Sequence, residues 1–222
     1  MKKLLLTIAG LFAVGMSFTQ AQTTDFNKWQ VRLRGVAVIP TPSADIATIG
    51  GDVDINTKFI PELDFTYFFT KNIAAELILG TTKHNVNTTG SDLTAIGLGA
   101  SEDVDLGSVW LLPPTLTAQY HFYPGKLVKP YVGAGVNYTI FYNVDEGKTV
   151  KGVEYKNKFG FATQIGTDIN ITDKFFLNVD AKYIFLKTDV DVDASNLAAG
   201  LAIPATVDIN PFLVGVGIGY KF

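Results

Sequence analysis

The 222-residue chain has no cysteine, two histidines and few charges. Past its first twenty-one residues it also has no long charge-free apolar run. Each lack excludes something. Without cysteine there is no disulfide scaffold, cysteine-ligated zinc, iron–sulfur cluster or thiol nucleophile. Two histidines do not furnish a histidine-rich metal centre. Charged residues are 18% of the chain, below the roughly 25% of soluble globular domains. Net charge is −3, so no basic face for nucleic acid is expected. What is present is apolar: 47% hydrophobic residues and a mean hydropathy of +0.23. That excludes disorder and poses a question, since no stretch after residue 21 reaches the roughly 18 apolar residues of a membrane helix.

Residues 1–21 read as a cleaved secretory leader. Lys2 and Lys3 form its positive start, Leu4 to Phe18 is uncharged and mostly apolar, and Thr19-Gln20-Ala21 supplies the small residues of a cleavage site. The other reading is an uncleaved anchor, for which the apolar stretch is short. Removing the leader takes two lysines and moves the formal charge from −3 to −5. Residues 22–222 are expected to form one domain.

The dominant period after the leader is two, the strand period. Leu112, Pro114, Leu116, Ala118, Tyr120 and Phe122 alternate with Pro113, Thr115, Thr117, Gln119 and His121. Phe212, Val214, Val216, Ile218, Tyr220 and Phe222 alternate with Leu213, three glycines and Lys221. The pattern predicts eight strands, over 29–39, 58–69, 73–84, 109–122, 130–143, 158–171, 175–187 and 207–222. Their connections alternate between short turns and long loops at about 40–57, 85–108, 144–157 and 188–206. The expected fold is an all-β, eight-stranded antiparallel transmembrane β-barrel of the bacterial outer membrane, with short turns and both termini in the periplasm. Two aromatic girdles are expected. Phe68, Phe69, Tyr120, Phe122, Tyr123, Phe175, Tyr220 and Phe222 lie on the short-turn side. Trp110, Tyr138, Tyr142, Tyr183 and Phe185 lie on the loop side. Tyr220 and Phe222 at the chain end also fit a signal for the barrel assembly machinery.

The inward positions divide by height. Arg32, Arg34, Lys58, Lys182 and Lys221 face Glu62, Asp64, Glu76, Asp168 and Asp180, five of each sign. All but Lys58 fall in the middle or periplasmic half. Unpaired buried charge is costly, so these are expected to pair into a polar plug, completed by Gln119, His121, Asn137 and Gln164. The loop-side half points Val36, Val38, Ile60, Ile78, Leu111, Phe141, Ile184, Leu186, Ile209 and Leu213 inward. Two readings stand: a binding funnel for a small hydrophobic ligand, or side chains that simply fill the barrel top. Pro113 and Pro114 interrupt a strand, and Pro61 and Pro211 are also mid-segment. Proline cannot donate to a ladder, so Pro113 and Pro114 are expected to mark a lateral seam through which ligand leaves into lipid.

Several motifs carry a resemblance. Leu112-Pro113-Pro114-Thr115-Leu116-Thr117-Ala118-Gln119-Tyr120-His121-Phe122 resembles the LPPTLxxQYHF segment of the outer membrane protein W (OmpW) family. Lys129 to Thr139 is similar to that family's next strand, Asn210 to Phe222 to its last, and Val31 to Gly35 to its first. The resemblance spans the mature chain. It implies an eight-stranded barrel with a hydrophobic channel, uptake of small hydrophobic compounds, alkanes among them in some relatives, and in some members service as bacteriocin receptors. The loops match no motif of that family.

Other candidates have plainer explanations beside them. His84 near Ser91 or Ser108 is the nearest thing to a hydrolytic group; no enzyme, cofactor or metal is expected. Asp189, Asp191 and Asp193 suit either calcium or a solvated strand extension. The expected partners are outer-membrane lipid, the barrel assembly machinery and a small hydrophobic ligand. The function expected is passive uptake of such ligands. The alternative is a structural or surface-interaction barrel of adhesin or bacteriocin-receptor type.

Overall fold

The structure, a computed structural model, describes residues 26–222 apart from 47, 48, 95, 96, 98, 197 and 198. The expected leader lies outside the described residues. Fifteen strands follow one another: β1 (Trp29–Ile39), β2 (Ser43–Ile46), β3 (Asp52–Ile55), β4 (Lys58–Phe68), β5 (Ile73–Gly80), β6 (Thr82–Ser91), β7 (Glu102–Leu112), β8 (Thr115–His121), β9 (Val128–Glu146), β10 (Gly152–Tyr155), β11 (Lys158–Asn170), β12 (Phe175–Phe185), β13 (Lys187–Asp193), β14 (Ala202–Asp208) and β15 (Phe212–Lys221). Eight of them form a closed antiparallel ring in the order β1, β4, β5, β8, β9, β11, β12, β15, and β15 pairs back onto β1 with Gly219 opposite Arg32. Closure leaves no strand edge at membrane depth, which lipid requires.

The outward positions are the alternating apolar sets of the sequence. Leu33, Leu63, Leu116, Val136, Ile165, Leu177 and Val216 are all exposed. A soluble monomer does not display a continuous belt of this kind; here it faces lipid. Aromatic contacts lie along both rims. Trp29–Tyr67, Tyr67–Phe69 and Tyr120–Phe122 meet at the short-turn end, Tyr138–Phe159 and Tyr183–Phe185 at the other. Phe68 departs from the expected girdle. It shares parity with Glu62, Asp64 and Thr66, points inward, and packs its ring 4.8 Å from His121. Position in the alternation outranks the aromatic preference for the rim.

The expected long loops prove to be built largely of strand. β6 and β7 continue the β5 and β8 walls upward, β3 flanks β6, and the upper part of β9 pairs with β7. On the opposite side β10, β13, β14 and β2 form a second sheet. The expected strands 73–84 and 109–122 are therefore each split, at Thr81 and at Pro113–Pro114. The expected strand 207–222 is split between β14 and β15. Between the two upper sheets lies an apolar cluster that includes Ile46, Val53, Val86, Val104, Val190, Val192 and Val207. Each of these alternates with Asp, Thr, Asn or a small residue, the mark of strands buried on one face.

Two ladder interruptions shape the wall. The rungs between the β5–β6 and β7–β8 walls stop at Ile78 opposite Thr115 and resume at Thr82 opposite Leu111. The Pro113–Pro114 break stays stitched to β9, because Tyr138 N–H donates to the Pro114 carbonyl at 3.1 Å. Asn137 Nδ2 donates to the Pro113 carbonyl at 3.2 Å and to Thr115 Oγ1 at 2.8 Å. Asn137, expected in the plug, instead braces this break. The second interruption is wider. β4 pairs with β5 only as far as Glu62 opposite Gly80; above that, Lys58 to Pro61 keep β1 as their ladder partner, while β6 turns to β3. Pro61, having no N–H, sits where the β4–β5 ladder ends.

Candidate functional site

Below the level of Gly80 the lumen is filled by charge. Glu76 is its hub. Arg32 and Arg34 both reach Glu76 Oε1, Arg34 at 3.1 Å, and Gln119, Gln164 and Thr117 donate to Oε2 at 2.5, 2.8 and 3.3 Å. Arg32 Nε also binds Asp64 at 2.6 Å, and Arg34 Nη2 binds Glu62 at 2.8 Å and Asp64 at 2.9 Å. Lys182 spans Glu62 at 3.0 Å and Asp180 at 2.8 Å. Asp168 accepts from Asn178 at 3.0 Å and lies 3.7 Å from Lys129. His121 Nε2 meets Gln119 Oε1 at 2.9 Å. Because Gln119 gives its amide N–H to Glu76, that oxygen is the acceptor and His121 carries its proton on Nε2. Both arginines are completely enclosed. Such a network holds together only because nearly every charge has several partners; removing one would strand the others.

Of the thirteen residues expected in the plug, eleven meet in this layer. Asn137, at the proline break, and Lys221 are the exceptions. Lys221 lies lower, at the short-turn mouth, over the Phe176 ring and bonded to Asn170. Two residues not expected there, Tyr131 and Asn178, also belong to the layer. Tyr131 OH donates to Asp180 at 2.8 Å and receives Asn178 Nδ2 at 3.1 Å. Both follow from strict alternation. Tyr131 shares parity with Asn137, and Asn178 with Asp180. A further signal was available in the glycines. Gly166 stands opposite Tyr131 and Gly219 opposite Phe176. A side-chain carbon at either would fall 2.4 Å from Tyr131 or 2.1 Å from the Phe176 ring. The rings lie across the glycines.

Above the network the chemistry changes within two residues along each strand. An apolar cavity of about 110 Å³ opens toward the upper sheets. Of the ten expected apolar lumen residues, Val38, Ile60, Ile78, Leu111, Phe141, Ile184, Leu186, Ile209 and Leu213 line it. Val36 is buried in the adjoining apolar cluster but does not reach the cavity wall. Glu62 and Lys182, the top of the charged layer, form the floor. Ile60, Gly80, Thr82 and Pro113 bring the lining up to both ladder interruptions. The cavity is the sort that receives apolar guests: concave, dry-walled, with few polar groups.

The remaining candidates are placed elsewhere. His84 bonds the Asn56 carbonyl at 2.7 Å and Thr82 at 3.1 Å, and neither Ser91 nor Ser108 is among its hydrogen-bond partners. Asp189, Asp191 and Asp193 lie on strand β13. Lys158 binds Asp189 at 2.7 Å, and its ammonium holds that carboxyl below the ordinary carboxylate range. Lys156 lies 3.4 Å from Asp191, and Asp193 caps Ser195 N–H at 3.0 Å. No group of three or more metal-ligating acids or histidines forms among the described residues. The aspartates sit on a strand extension.

Comparison with known proteins places this geometry. The sequence model of the OmpW family matches residues 27–222. The chain is 40% identical to an uncharacterized outer-membrane protein, y4mB, of Sinorhizobium fredii over 205 residues, 92% of this chain and 84% of that one. It is 30% identical to outer membrane protein W of Vibrio cholerae over 200 residues, covering 86% and 87% of the two chains. The crystal structure of the outer membrane protein OprG from Pseudomonas aeruginosa superposes with a TM-score of 0.77 at 26% identity, covering 89% of this chain and 96% of that one.

Proposed function

The chain belongs to the OmpW family and is an eight-stranded barrel of the bacterial outer membrane, and on that premise we propose that it passively admits small hydrophobic molecules from outside. In this reading the apolar cup holds the guest, the charge network below acts as a plug, and the guest leaves sideways into lipid. The observation that carries the reading is the stacking of the two layers: an apolar cavity directly above a charged, densely ion-paired floor. An apolar molecule that reaches the floor meets a layer whose desolvation would cost far more than the guest could return. The wall beside it is weaker. The stretch of β4 at Lys58–Pro61, paired with β1 but not on its β6 side, and the gap at Pro113 and Pro114 together supply the lateral seam. The proline pair is one end of this seam; the wider gap in pairing is the one between β4 and β6. Tyr220 and Phe222, at the end of the closing strand, serve the barrel assembly machinery in the same reading.

Charge in the cup should abolish uptake. Phe141→Glu and Leu111→Glu are expected to stop uptake of, or growth on, a hydrophobic substrate in whole cells, while the barrel keeps its heat-modifiable gel mobility. Unchanged uptake by a folded double variant would favour a barrel that serves only as a structural or surface-interaction element. A Pro61→Cys, Thr81→Cys pair tests the exit. Oxidation should slow uptake and reduction restore it.

A further inference from the structure

The cup wall carries hydroxyls and an imidazole, and most of these are occupied. His84 bonds Thr82 through Nε2 and the Asn56 carbonyl through Nδ1. Thr115 donates to the Pro113 carbonyl at 3.0 Å, Thr139 to Asn137 Oδ1 at 2.7 Å, and Thr188 to the Lys156 carbonyl at 2.6 Å. Tyr155, on the β10 wall beside Phe141, is the lining hydroxyl that takes part in no hydrogen bond among the described residues. Near the floor the wall is therefore apolar in effect to a guest. The floor differs. Glu62 Oε1 takes both Lys182 at 3.0 Å and Arg34 at 2.8 Å. Glu62 Oε2 takes no hydrogen bond from the described residues. Deeper in the network Asp64 Oδ2 is ion-paired with Arg34 and Gln164 Oε1 is unbonded but sealed, whereas Glu62 Oε2 is not enclosed, and Glu62 lines the cavity. Lys182, also at the floor, has two N–H groups committed and a third to give. A carboxylate oxygen with an open lone pair, at the base of an apolar cup whose other unbonded lining hydroxyl is Tyr155, is a receptor for one donor group.

We propose that the cup selects small amphiphiles with a single uncharged, hydrogen-bond-donating head, of the aliphatic alcohol class, seated head-down on Glu62. The hydroxyl donates to Glu62 Oε2 and accepts from Lys182. The tail lies among Ile60, Ile184, Phe141 and Leu111. This rests on the reading that the cup holds apolar guests and names which of them it prefers. Charge narrows the choice. Around the floor stand four carboxylates, Glu62, Asp64, Glu76 and Asp180, against three cations, Arg32, Arg34 and Lys182. A carboxylate head is repelled. An ammonium head would have to shed its hydration in an apolar cup, which costs more than one new ion pair returns. A hydroxyl sheds little and satisfies both floor groups.

The test compares four eight-carbon probes: 1-octanol, its isomer heptyl methyl ether, octane and octanoate. Binding to the barrel in lipid nanodiscs is read from the Ile60 and Ile184 methyl NMR signals, against empty nanodiscs that correct for partitioning. Octanol should bind about tenfold more tightly than the ether and octane, and octanoate more weakly than octanol. In Glu62→Gln, which keeps the side chain's shape, the octanol-to-ether ratio should fall to about threefold, since a neutral acceptor bonds roughly half as strongly. Equal binding of octanol, ether and octane to the unaltered barrel overturns the head-group site and leaves the apolar cup standing. So does a ratio that Glu62→Gln leaves unchanged in a barrel that still shows heat-modifiable mobility. Tightest binding of octanoate overturns it in favour of a cationic floor. If no probe binds, octane included, the cup itself is not a binding site and both readings fall.

Discussion

The lower and upper halves of this lumen are built on the same strands and the same inward parity, yet they are held together differently. Below Gly80, cohesion is polar: Glu76 alone is bonded by five side chains from three other strands. Above it, cohesion comes from two sheets closing over an apolar cluster. The contrast is mirrored in the wall. The lower ring is continuously paired, and both interruptions lie at or above the top of the network. Water-free charge needs a rigid frame, because each pair is worth having only at close, fixed geometry. Apolar contact is non-directional and tolerates missing rungs. On the proposed reading, sealing and yielding are thus assigned to different heights of one barrel.

The sharpest way to break this comparison is to remove the hub. Glu76→Leu leaves Arg32 and Arg34 under-compensated in an enclosed space and should cost about 3–5 kcal/mol of barrel stability, read as a lower urea midpoint for loss of heat-modifiable mobility. A cost below that of any cup substitution would mean the lower half is not the stabilising one. Next is Ile184→Ala, on the same strand one inward position above Lys182. It enlarges a cavity that already exists, so its cost should sit near the low end for large-to-small changes, about 2 kcal/mol. Smallest is a pH effect confined to the upper sheets. Lys158, by its hydrogen bond and its charge, depresses the Asp189 carboxyl from its ordinary value of 3.8. A depressed carboxyl contributes stability above its unfolded pKa and loses it as pH falls through the lower folded value. Amide exchange at Val190 and Tyr155, the β13–β10 rung, should therefore quicken only below about pH 4, with the Glu76 layer unmoved.

Much of this was readable from alternation alone. Period two placed Arg32, Asp64, Glu76 and Lys182 inward at the correct height, and strict use of it also gives Tyr131 and turns Phe68 into the lumen. The upper strands were harder to see. Asp52-Val53-Asp54-Ile55 and Asp189-Val190-Asp191-Val192-Asp193 alternate cleanly. But their outward residues face water, not lipid, so their composition is that of loops. The opening beside Pro61 was not visible at all. It depends on β6 choosing β3 over β4, a choice between partners that a single strand's sequence does not record. The charge of the floor was legible; the open valence at Glu62 was not, because it depends on how Arg34 and Lys182 divide one carboxylate.

The register on either side of the Pro113–Pro114 gap has a mechanical consequence. From Ile78–Thr115 to Thr82–Leu111 each step along one wall is matched by one step along the other, so the gap omits rungs without slipping the strands. If the proposed lateral exit uses this gap, parting it requires no re-registration when it closes. What parting would break is local: Thr81, whose hydroxyl ties the Leu111 carbonyl at 3.0 Å and meets Tyr142 OH at 2.7 Å, bridges the gap. On the proposed reading those two hydroxyls are the latch.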